Sequence, residues 1–371
     1  MVSMPPFGCA LDTGMGAADR YHSVSACKRR ERMSTTLKLA FVGCGAIAPF
    51  HLNGIKEQAR RTQVSAAIDL NREKAEKIAS ETGAQVFGSL EEGLAHGDFD
   101  AVDVMTPHHL HESLAIQAFQ AGKHVVLEKP MAPTLAACDR IFAAAKQAGT
   151  VFMVAENAQY WPEIVKAQEL IRRGVIGDLI TARAAFVMPR DPYWFQDERP
   201  WRLDQTQTGG GITIDGGSHW LRPLRMWLGE IDEVVAVLDH PMAGMQGESH
   251  VRSLLRFRSG KVGSFDALML DSVLGPEPWW RVTGTKGELL IEGGLRGGAL
   301  HLFDEEHPEG LLVQKPLGYA QSFGPELADF ETAVLDGTPL AAGPEEALGE
   351  LRIALAIYRS AESHQWEKVW D

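Results

Sequence analysis

The residues best suited to move a proton are a lysine and a histidine that lie far apart in the chain. Lys129 follows the apolar run 124–127, which predicts that its ammonium lies at the end of a buried strand. His219 follows Asp215 by four positions, so on a helix their side chains project from the same face. A carboxylate beside an imidazole raises its proton affinity and orients its ring, which prepares His219 to accept a proton from an alcohol. An ammonium at the reacting oxygen would share or donate a proton there.

Each of these residues also has a simpler interpretation. Most lysines are solvated on the surface, Asp215 alone would cap a helix, and His219 alone would be a hydrogen-bonded core histidine. The glycine run 209–211 permits a close approach of the backbone to a ligand. Trp201 and Arg202 precede that run and predict an aromatic wall and a cation at the ligand, and a Trp and Arg pair packed in a loop is the alternative. The predicted substrate contacts are Lys129, Trp201, Arg202, Asp215 and His219.

A glycine-rich turn between a strand and a helix is the second chemical feature. The run 38–42 is typical of a short strand, and G-x-G-x-x-A follows it as a turn into a helix. Gly43 permits a sharp turn, Gly45 lacks the Cβ that would keep the backbone away from a pyrophosphate, and the helix start offers unpaired N–H groups. A plain tight turn is the alternative for the motif alone. The predicted cofactor contacts in this turn are Gly43, Gly45, Ala46 and Ile47.

An acidic residue at the end of the next apolar run indicates which cofactor binds. The run 64–68 ends at Asp69, where a carboxylate can accept hydrogen bonds from both ribose hydroxyls of NAD and would repel the 2′-phosphate of NADP. Arg72 lies close enough to keep NADP possible. NAD is therefore the predicted cofactor.

Further polar residues follow apolar runs in the N-terminal half of the chain. Strands alternate there with helices at short spacings, which predicts parallel β–α–β units with ligands at the carboxyl ends of the strands. At these ends we assign cofactor binding to Thr106, Pro107, His109, Glu128 and Lys129. For His109, contact with a phosphate, a capping role and mere exposure are all open. No metal site is predicted, because the adjacent histidines 108, 109 and 111 cannot all converge on one ion.

The chain of 371 residues is long enough for two domains. From residue 179 to about 303 strand follows strand, which predicts a largely antiparallel sheet whose free face suits self-association. Two closing helices, near 325–336 and 344–363, are expected to pack back onto the structure. We expect a disordered extension over 1–36, a dinucleotide-binding domain over 37–155 and a substrate and oligomerisation domain over 156–371.

The overall charge and the cysteines exclude several classes of protein. The net charge of -13 provides no basic surplus to neutralise phosphates, so a nucleic-acid partner is not expected and a small molecule fits better. The four cysteines show no C-x-x-C pair, which indicates a reducing compartment, and we expect the protein to be cytoplasmic. No apolar run approaches the roughly 20 residues needed to cross a bilayer.

Taken together, these motifs resemble the Gfo/Idh/MocA family of sugar and inositol oxidoreductases over roughly residues 37–370. The shared markers are the G-x-G-x-x-A loop, Thr106 and Pro107 with the histidines after them, the A-G-K-H-V run that leads to E-K-P, and G-G-G with Asp215 and His219. The resemblance implies an N-terminal Rossmann domain and a C-terminal α/β domain with a large, mostly antiparallel open sheet that builds homodimers or homotetramers.

The resemblance also implies roles for individual residues. Lys129 would hydrogen-bond the reacting hydroxyl, His219 would accept or donate the proton, and Asp215 would support both. Asn157 matches an asparagine that this family often keeps near the nicotinamide. Trp161 and the insert 188–198 are not common to all members, so substrate identity cannot be transferred. The aromatic residues of the insert suggest stacking on a sugar ring or an aromatic aglycone.

These observations predict a dehydrogenase that transfers a hydride between nicotinamide and a secondary alcohol of a sugar, polyol or glycoside. Two alternatives belong to other classes of function. One is a glycoside-cleaving enzyme that uses NAD for a transient oxidation. The other is a ligand-sensing protein that keeps the fold without turnover, although the presence of Lys129, Asp215 and His219 counts against it.

Overall fold

The structure is a computed structural model that describes residues 35–197, 200–293 and 298–370. The predicted disorder of 1–36 falls almost wholly outside the described residues, as does Glu198 of the predicted insert. The described residues form two β-sheets, one of six strands and one of nine. No helix in the described part of the chain is long and apolar enough to cross a bilayer.

The first sheet is parallel throughout and has the strand order β3-β2-β1-β4-β5-β6. Its strands are β1 Leu37–Val42, β2 Thr62–Ile68, β3 Gln85–Phe87, β4 Ala101–Val104, β5 His124–Glu128 and β6 Phe152–Ala155. Its helices are α1 Ala48–Glu57, α2 Arg72–Thr82, α3 Leu90–His96, α4 His111–Gln120 and α5 Leu135–Ala148. Helices cover both faces, so the central strands β1 and β4 are largely buried on both sides and apolar except for Lys38 and Asp103. The strand order reverses between β1 and β4, where open sheets of this kind bind ligands.

Short side chains set the ends of these helices. The Asn71 side chain accepts a hydrogen bond from the backbone N–H of Glu73, and Thr134 caps α5 in the same way. Gly83 and Gly149 follow the last turns of α2 and α5 in the left-handed conformation, with φ of 74° and 67°. These local signals define where α2 and α5 begin and end.

The second sheet has the strand order β14-β13-β12-β11-β7-β10-β9-β8-β15 among the described residues. Its strands are β7 Leu179–Pro189, β8 Ile231–Asp239, β9 His250–Phe257, β10 Val262–Leu270, β11 Trp280–Gly284, β12 Gly287–Ile291, β13 Leu300–Asp304, β14 Leu311–Gln314 and β15 Glu367–Lys368. The other helices are α6 Pro162–Arg172, α7 Gln205–Thr208, α8 Ile212–Asp215, α9 Gly217–Leu228, α10 Phe323–Asp336 and α11 Glu346–Ser363. Only the described pair β7 and β10 runs parallel, which confirms the predicted α/β fold with a mostly antiparallel second sheet.

Helix α9 covers the inner face of the second sheet. Trp220 of this helix stacks on Trp280 of β11, with ring centroids 5.5 Å apart and planes within 16°, and both side chains are buried. Apolar side chains on the outer face remain exposed instead, among them Ile180, Val237 and Leu254. The sheet therefore has one packed face and one open face.

The last two long helices pack against the first sheet. Leu327 and Phe330 of α10 belong to the same buried cluster as Phe41 of β1. Leu351 of α11 belongs to the cluster that contains Ile141 of α5. Residues from the end of the chain therefore help to bury both faces of the parallel sheet.

The packing of α10 against α1 predicts the effect of a substitution at Gly54. A Cβ atom at this position would lie 2.7 Å from the backbone carbon of Phe323, and backbone atoms cannot rotate aside. We expect Gly54→Ala to lower the free energy of unfolding by about 1–3 kcal/mol, measured by urea denaturation. Gly275→Ala is the control, because a Cβ there meets nothing within 4 Å. Equal stability of the two variants would contradict the tight α1 and α10 contact.

Candidate active site

A cleft with a volume of about 930 Å³ lies at the carboxyl ends of β1, β2, β4 and β5. Residues of α8, α9 and the segment before them close its other side, among them Asp215 and His219. The volume is at the upper end of the range for small-molecule sites. The cleft therefore has room for an extended cofactor together with a small second ligand.

The glycine-rich turn has the geometry that a pyrophosphate requires. Gly43 has φ of 93°, and a Cβ atom there would lie 2.6 Å from the carbonyl oxygen of Met105. Gly45 lines the cleft, and a Cβ atom built on it meets nothing within 4 Å, so the backbone is open to a ligand. Ala46 and Ile47 also line the cleft, just before α1 begins. The residues present fit a dinucleotide.

Asp69 lies at the end of β2 and lines the same cleft. Its Oδ2 accepts a hydrogen bond from the Cys44 N–H at 2.8 Å, and its Oδ1 accepts one from the Asn71 N–H at 2.7 Å. These two contacts hold the carboxylate beside the glycine turn. Arg72, by contrast, lies outside the cleft lining, because its guanidinium turns to Glu76 at 2.8 Å and its side chain is 77% exposed.

Lys129 reaches across the cleft to Asp215. Its Nζ donates to the backbone oxygen of Asp215 and to Oδ1 at 3.2 Å. Arg202 donates to the other carboxylate oxygen at 3.1 Å, and His108 Nε2 lies 3.5 Å from Oδ1. Burial raises the pKa of Asp215, but the charges of Lys129 and Arg202 outweigh it, and the net pKa lies well below its ordinary value. Asp215 is therefore an anion that holds two cations at the cleft.

The carboxylate that contacts His219 belongs to Glu156, and not to Asp215 as the sequence predicted. Nδ1 of His219 lies 2.5 Å from Oε1 of Glu156, which follows β6, and the predicted contact with Asp215 is wrong. Helix α8 ends at Asp215 and α9 begins at Gly217, so the two residues are not on one continuous helix. Burial raises the pKa of Glu156, but the neighbouring His219 more than compensates and lowers it to about 2.

Most of the predicted site residues line this one cleft. Those that do are Gly43, Gly45, Ala46, Ile47, Asp69, Thr106, Pro107, Glu128, Lys129, Trp201, Arg202, Asp215 and His219. Arg72, His109 and Asn157 do not. His109 is exposed on the short turn His108–Leu110, whereas its neighbour His108 is buried and lines the cleft. Asn157 donates to Ser322 Oγ at 2.9 Å, so the geometry gives no support to its predicted cofactor contact.

Trp201 and Arg202 pack together and also line the cleft. The Arg202 guanidinium lies 4.4 Å from the Trp201 ring centre, so the two residues do pack together. Both also line the cleft, where Trp201 contacts the edge of His108 and Arg202 binds Asp215. The packed pair is thus itself part of the cleft wall.

The predicted insert contributes aromatic side chains to the same cleft. Tyr193 and Trp194 lie on the turn Pro192–Phe195, and the Tyr193 hydroxyl donates to the Ala46 carbonyl at 2.8 Å. Trp194 stacks on Phe50 of α1 with ring centroids 5.8 Å apart. The insert therefore covers the glycine-rich turn.

A buried histidine that the sequence analysis did not single out supports Lys129 from behind. His51 of α1 is fully buried, with Nδ1 2.7 Å from Asp103 Oδ2 and Nε2 3.0 Å from Glu128 Oε1. The other oxygen of Glu128 accepts the backbone N–H of Lys129 at 3.0 Å. Because both ring nitrogens face carboxylates, His51 is an imidazolium that donates to both. The sequence cue that would have identified His51 is its position in the first turn of α1, close to the carboxyl ends of the strands.

The charge on His51 predicts a pH-dependent loss of stability in His51→Gln. Burial lowers the pKa of His51, but Asp103 and Glu128 outweigh it and raise the pKa well above 6.5. Because the pKa of His51 is higher in the folded than in the unfolded protein, protonation of His51 stabilises the fold fully below about pH 6.5. This stabilisation is lost as the pH rises through the raised pKa. We expect the variant to lose about 3 kcal/mol near pH 6 and less at pH values above the raised pKa, measured by urea unfolding. The exposed His96→Gln is the control, and a pH-independent loss would contradict the charged state.

Comparison with known proteins agrees with the dinucleotide-binding geometry of the cleft. The family model described as an oxidoreductase family with an NAD-binding Rossmann fold matches residues 37–156. The model of the GFO/IDH/MocA C-terminal domain matches residues 164–290. These matches cover the whole first sheet and, in the second sheet, the strands β7 to β11 with most of β12.

Individual relatives are similar to the chain over most of their length. A 1,5-anhydro-D-fructose reductase of Ensifer adhaerens is 29% identical over 311 residues, 83% of this chain and 91% of the relative. A levoglucosan dehydrogenase of Pseudarthrobacter phenanthrenivorans is 25% identical over 355 residues, 84% of this chain and 89% of the relative. The aldose-aldose oxidoreductase of Caulobacter crescentus, solved with glycerol, has a TM-score of 0.79 at 26% identity, over 90% of this chain and 99% of that one. This chain belongs to the Gfo/Idh/MocA family of NAD-dependent oxidoreductases.

Proposed function

We propose that the protein is an NAD-dependent dehydrogenase that acts on a secondary alcohol of a sugar, polyol or glycoside. The observation that carries the proposal is the meeting of two proton-handling groups in one cleft. Lys129 comes from the end of β5 and His219 from α9, and both line the cleft that contains Gly45 of the cofactor turn. Positioning of a substrate between these groups and the cofactor would supply much of the rate.

The contacts of the two groups support complementary roles. Bound NAD supplies a hydride acceptor at the nicotinamide ring. The Lys129 ammonium donates two hydrogen bonds to Asp215, one to its backbone oxygen and one to Oδ1. Its third N–H remains free to donate to the substrate oxygen. Glu156 accepts from Nδ1 of His219, so Nε2 is the ring nitrogen that remains to take the hydroxyl proton.

The aromatic lining and the relatives together support a ring-shaped, polyhydroxylated substrate. Trp161, Trp194, Trp201 and Tyr319 all line the cleft, and flat aromatic faces suit the apolar face of a sugar ring. Two of the similar proteins carry the names of a 1,5-anhydro-D-fructose reductase and a levoglucosan dehydrogenase. We extend this substrate class to the present chain as part of the proposal.

We also propose that the chain forms a homodimer or homotetramer through the open face of the second sheet. The exposed side chains of Ile180, Val237 and Leu254 on strands of that sheet support this assembly.

A cytoplasmic location is proposed from the cysteine pattern in the sequence.

Substitution of the two proton-handling groups tests the proposed mechanism. We expect Lys129→Ala and His219→Ala each to lower kcat by about 100-fold or more, with NAD affinity retained in a direct titration. The exposed Lys77→Ala and His96→Ala are matched controls that should keep normal turnover. If Lys129→Ala or His219→Ala keeps near-normal hydride transfer, the substituted residue has no role in the proton transfer.

The assay distinguishes the dehydrogenase from other uses of the same cofactor. Sugars, polyols and glycosides are screened with NAD and with NADP, and we expect net NADH to form with at least one of them. Release of an aglycone without net NADH would contradict the proposal in favour of a glycoside-cleaving enzyme. Binding of NAD without turnover of any compound would contradict it in favour of a sensor.

The position of Asp69 predicts the basis of cofactor preference. Asp69→Ala removes a carboxylate from the cleft, so the preference for NAD over NADP should fall by about 10- to 100-fold, measured as the ratio of kcat/KM values. Arg72→Ala should leave the ratio unchanged, because Arg72 pairs with Glu76 outside the cleft lining. The opposite pattern would assign cofactor choice to Arg72.

A further inference from the structure

A second, much smaller cavity lies behind the two proton-handling groups. Its volume is about 10 Å³, which is about the smallest space that holds one water molecule. The cavity lies where the ends of β5 and β6 meet α8, α9 and α11. Its lining residues are Lys129, Pro130, Glu156, Thr213, Ile214, Ser218, Ala347, Glu350, Leu351 and Ala354.

Four of these residues carry a buried oxygen that has no hydrogen-bond partner among the described residues. They are Glu156 Oε2, Thr213 Oγ1, Ser218 Oγ and Glu350 Oε2. Each of the four residues is at most 6% exposed. Burial of one such group without a partner costs roughly 1–3 kcal/mol, so four of them on residues that line one small cavity point to a shared ligand.

The donors and acceptors of these four oxygens match one water molecule. The hydroxyls of Thr213 and Ser218 can each donate a proton, and the carboxylate oxygens of Glu156 and Glu350 can each accept one. A water molecule accepts two hydrogen bonds and donates two. A bound cation would fit less well, because the positively charged Lys129 is among the residues that line the cavity and two hydroxyl protons would have to turn away.

We propose that one ordered water molecule binds in this cavity and bridges Glu156 to Glu350 as part of the proton-handling site. The proposal rests on the proposed role of His219, whose Nδ1 contacts the other oxygen of Glu156. With both of its oxygens occupied, the Glu156 carboxylate cannot rotate away from the imidazole. The water is thus a positioning ligand, and Thr213 and Ser218 are positioning residues.

The bridge also connects the site to a buried group of charges on α9 and α11. The other oxygen of Glu350 accepts from Arg225 and lies 3.3 Å from Nε of Arg222. All three side chains are at most 5% exposed. Helix α11 therefore has a polar connection to the carboxylate beside His219, although none of its residues lines the main cleft.

A crystal structure of the full chain with NAD tests the water site without reference to activity. We expect one peak of density within hydrogen-bond distance of all four oxygens. Thr213→Val keeps the shape of the side chain and removes the hydroxyl, and the peak should weaken or disappear in this variant. Absence of the peak in the unaltered protein would overturn the proposal, and so would a peak with the short distances and higher coordination of a bound cation.

Kinetics test the effect of the water on the proton-handling pair. Thr213→Val should lower kcat by about tenfold, the equivalent of one hydrogen bond, with little change in KM, and Thr213→Ser should restore the rate. Thr150→Val is the matched control, since it removes another buried hydroxyl without a described partner but outside the cavity. Unchanged kcat in Thr213→Val would overturn the positioning role. Normal turnover in His219→Ala would instead overturn the proposed function, and the density would still decide whether the water binds.

Discussion

The ion pair between Lys129 and Asp215 is the contact on which the geometry of the cleft depends. Lys129 is fixed at the end of a parallel strand, and Asp215 ends a short helix beside the second sheet. Neither charge could be buried alone, because an uncompensated ion in the interior costs several kcal/mol. The two halves of the described chain must therefore meet at this point for either residue to keep its place, and Arg202 and His108 join the same carboxylate.

The same rule of paired charges organises the residues around the ion pair. Glu156 holds His219, and Glu128 holds both His51 and the backbone of Lys129. Each carboxylate therefore orients a group that faces the cleft or supports one that does. This arrangement keeps several ionised side chains close together in a largely buried region, where their interactions are stronger than in bulk solution.

Local patterns in the sequence were enough to predict the fold of the cofactor half, and most of the site residues that they predicted do line the cleft. The glycine turn, Asp69 and Lys129 each follow an apolar strand, and parallel strands bring their carboxyl ends to one edge. The sequence could not identify Glu156 as the partner of His219, because 63 residues separate them and only the packing of the two halves joins them. The four-residue spacing of Asp215 and His219 was misleading, since Gly216 lies between two separate helices. Helix α3 and strands β14 and β15 are too short to give a clear pattern in the sequence. Strand β15 is recognisable only by its pairing with β8.

Helices α10 and α11 come from the end of the chain and yet bury parts of the first sheet. During synthesis on the ribosome, all six strands of that sheet emerge well before these helices exist. The surfaces that Phe330 and Leu351 cover in the finished protein would meanwhile face water, or a chaperone. The nucleotide-binding half therefore completes its core only after α10 and α11 have been synthesised, which couples the maturation of both halves to the same step.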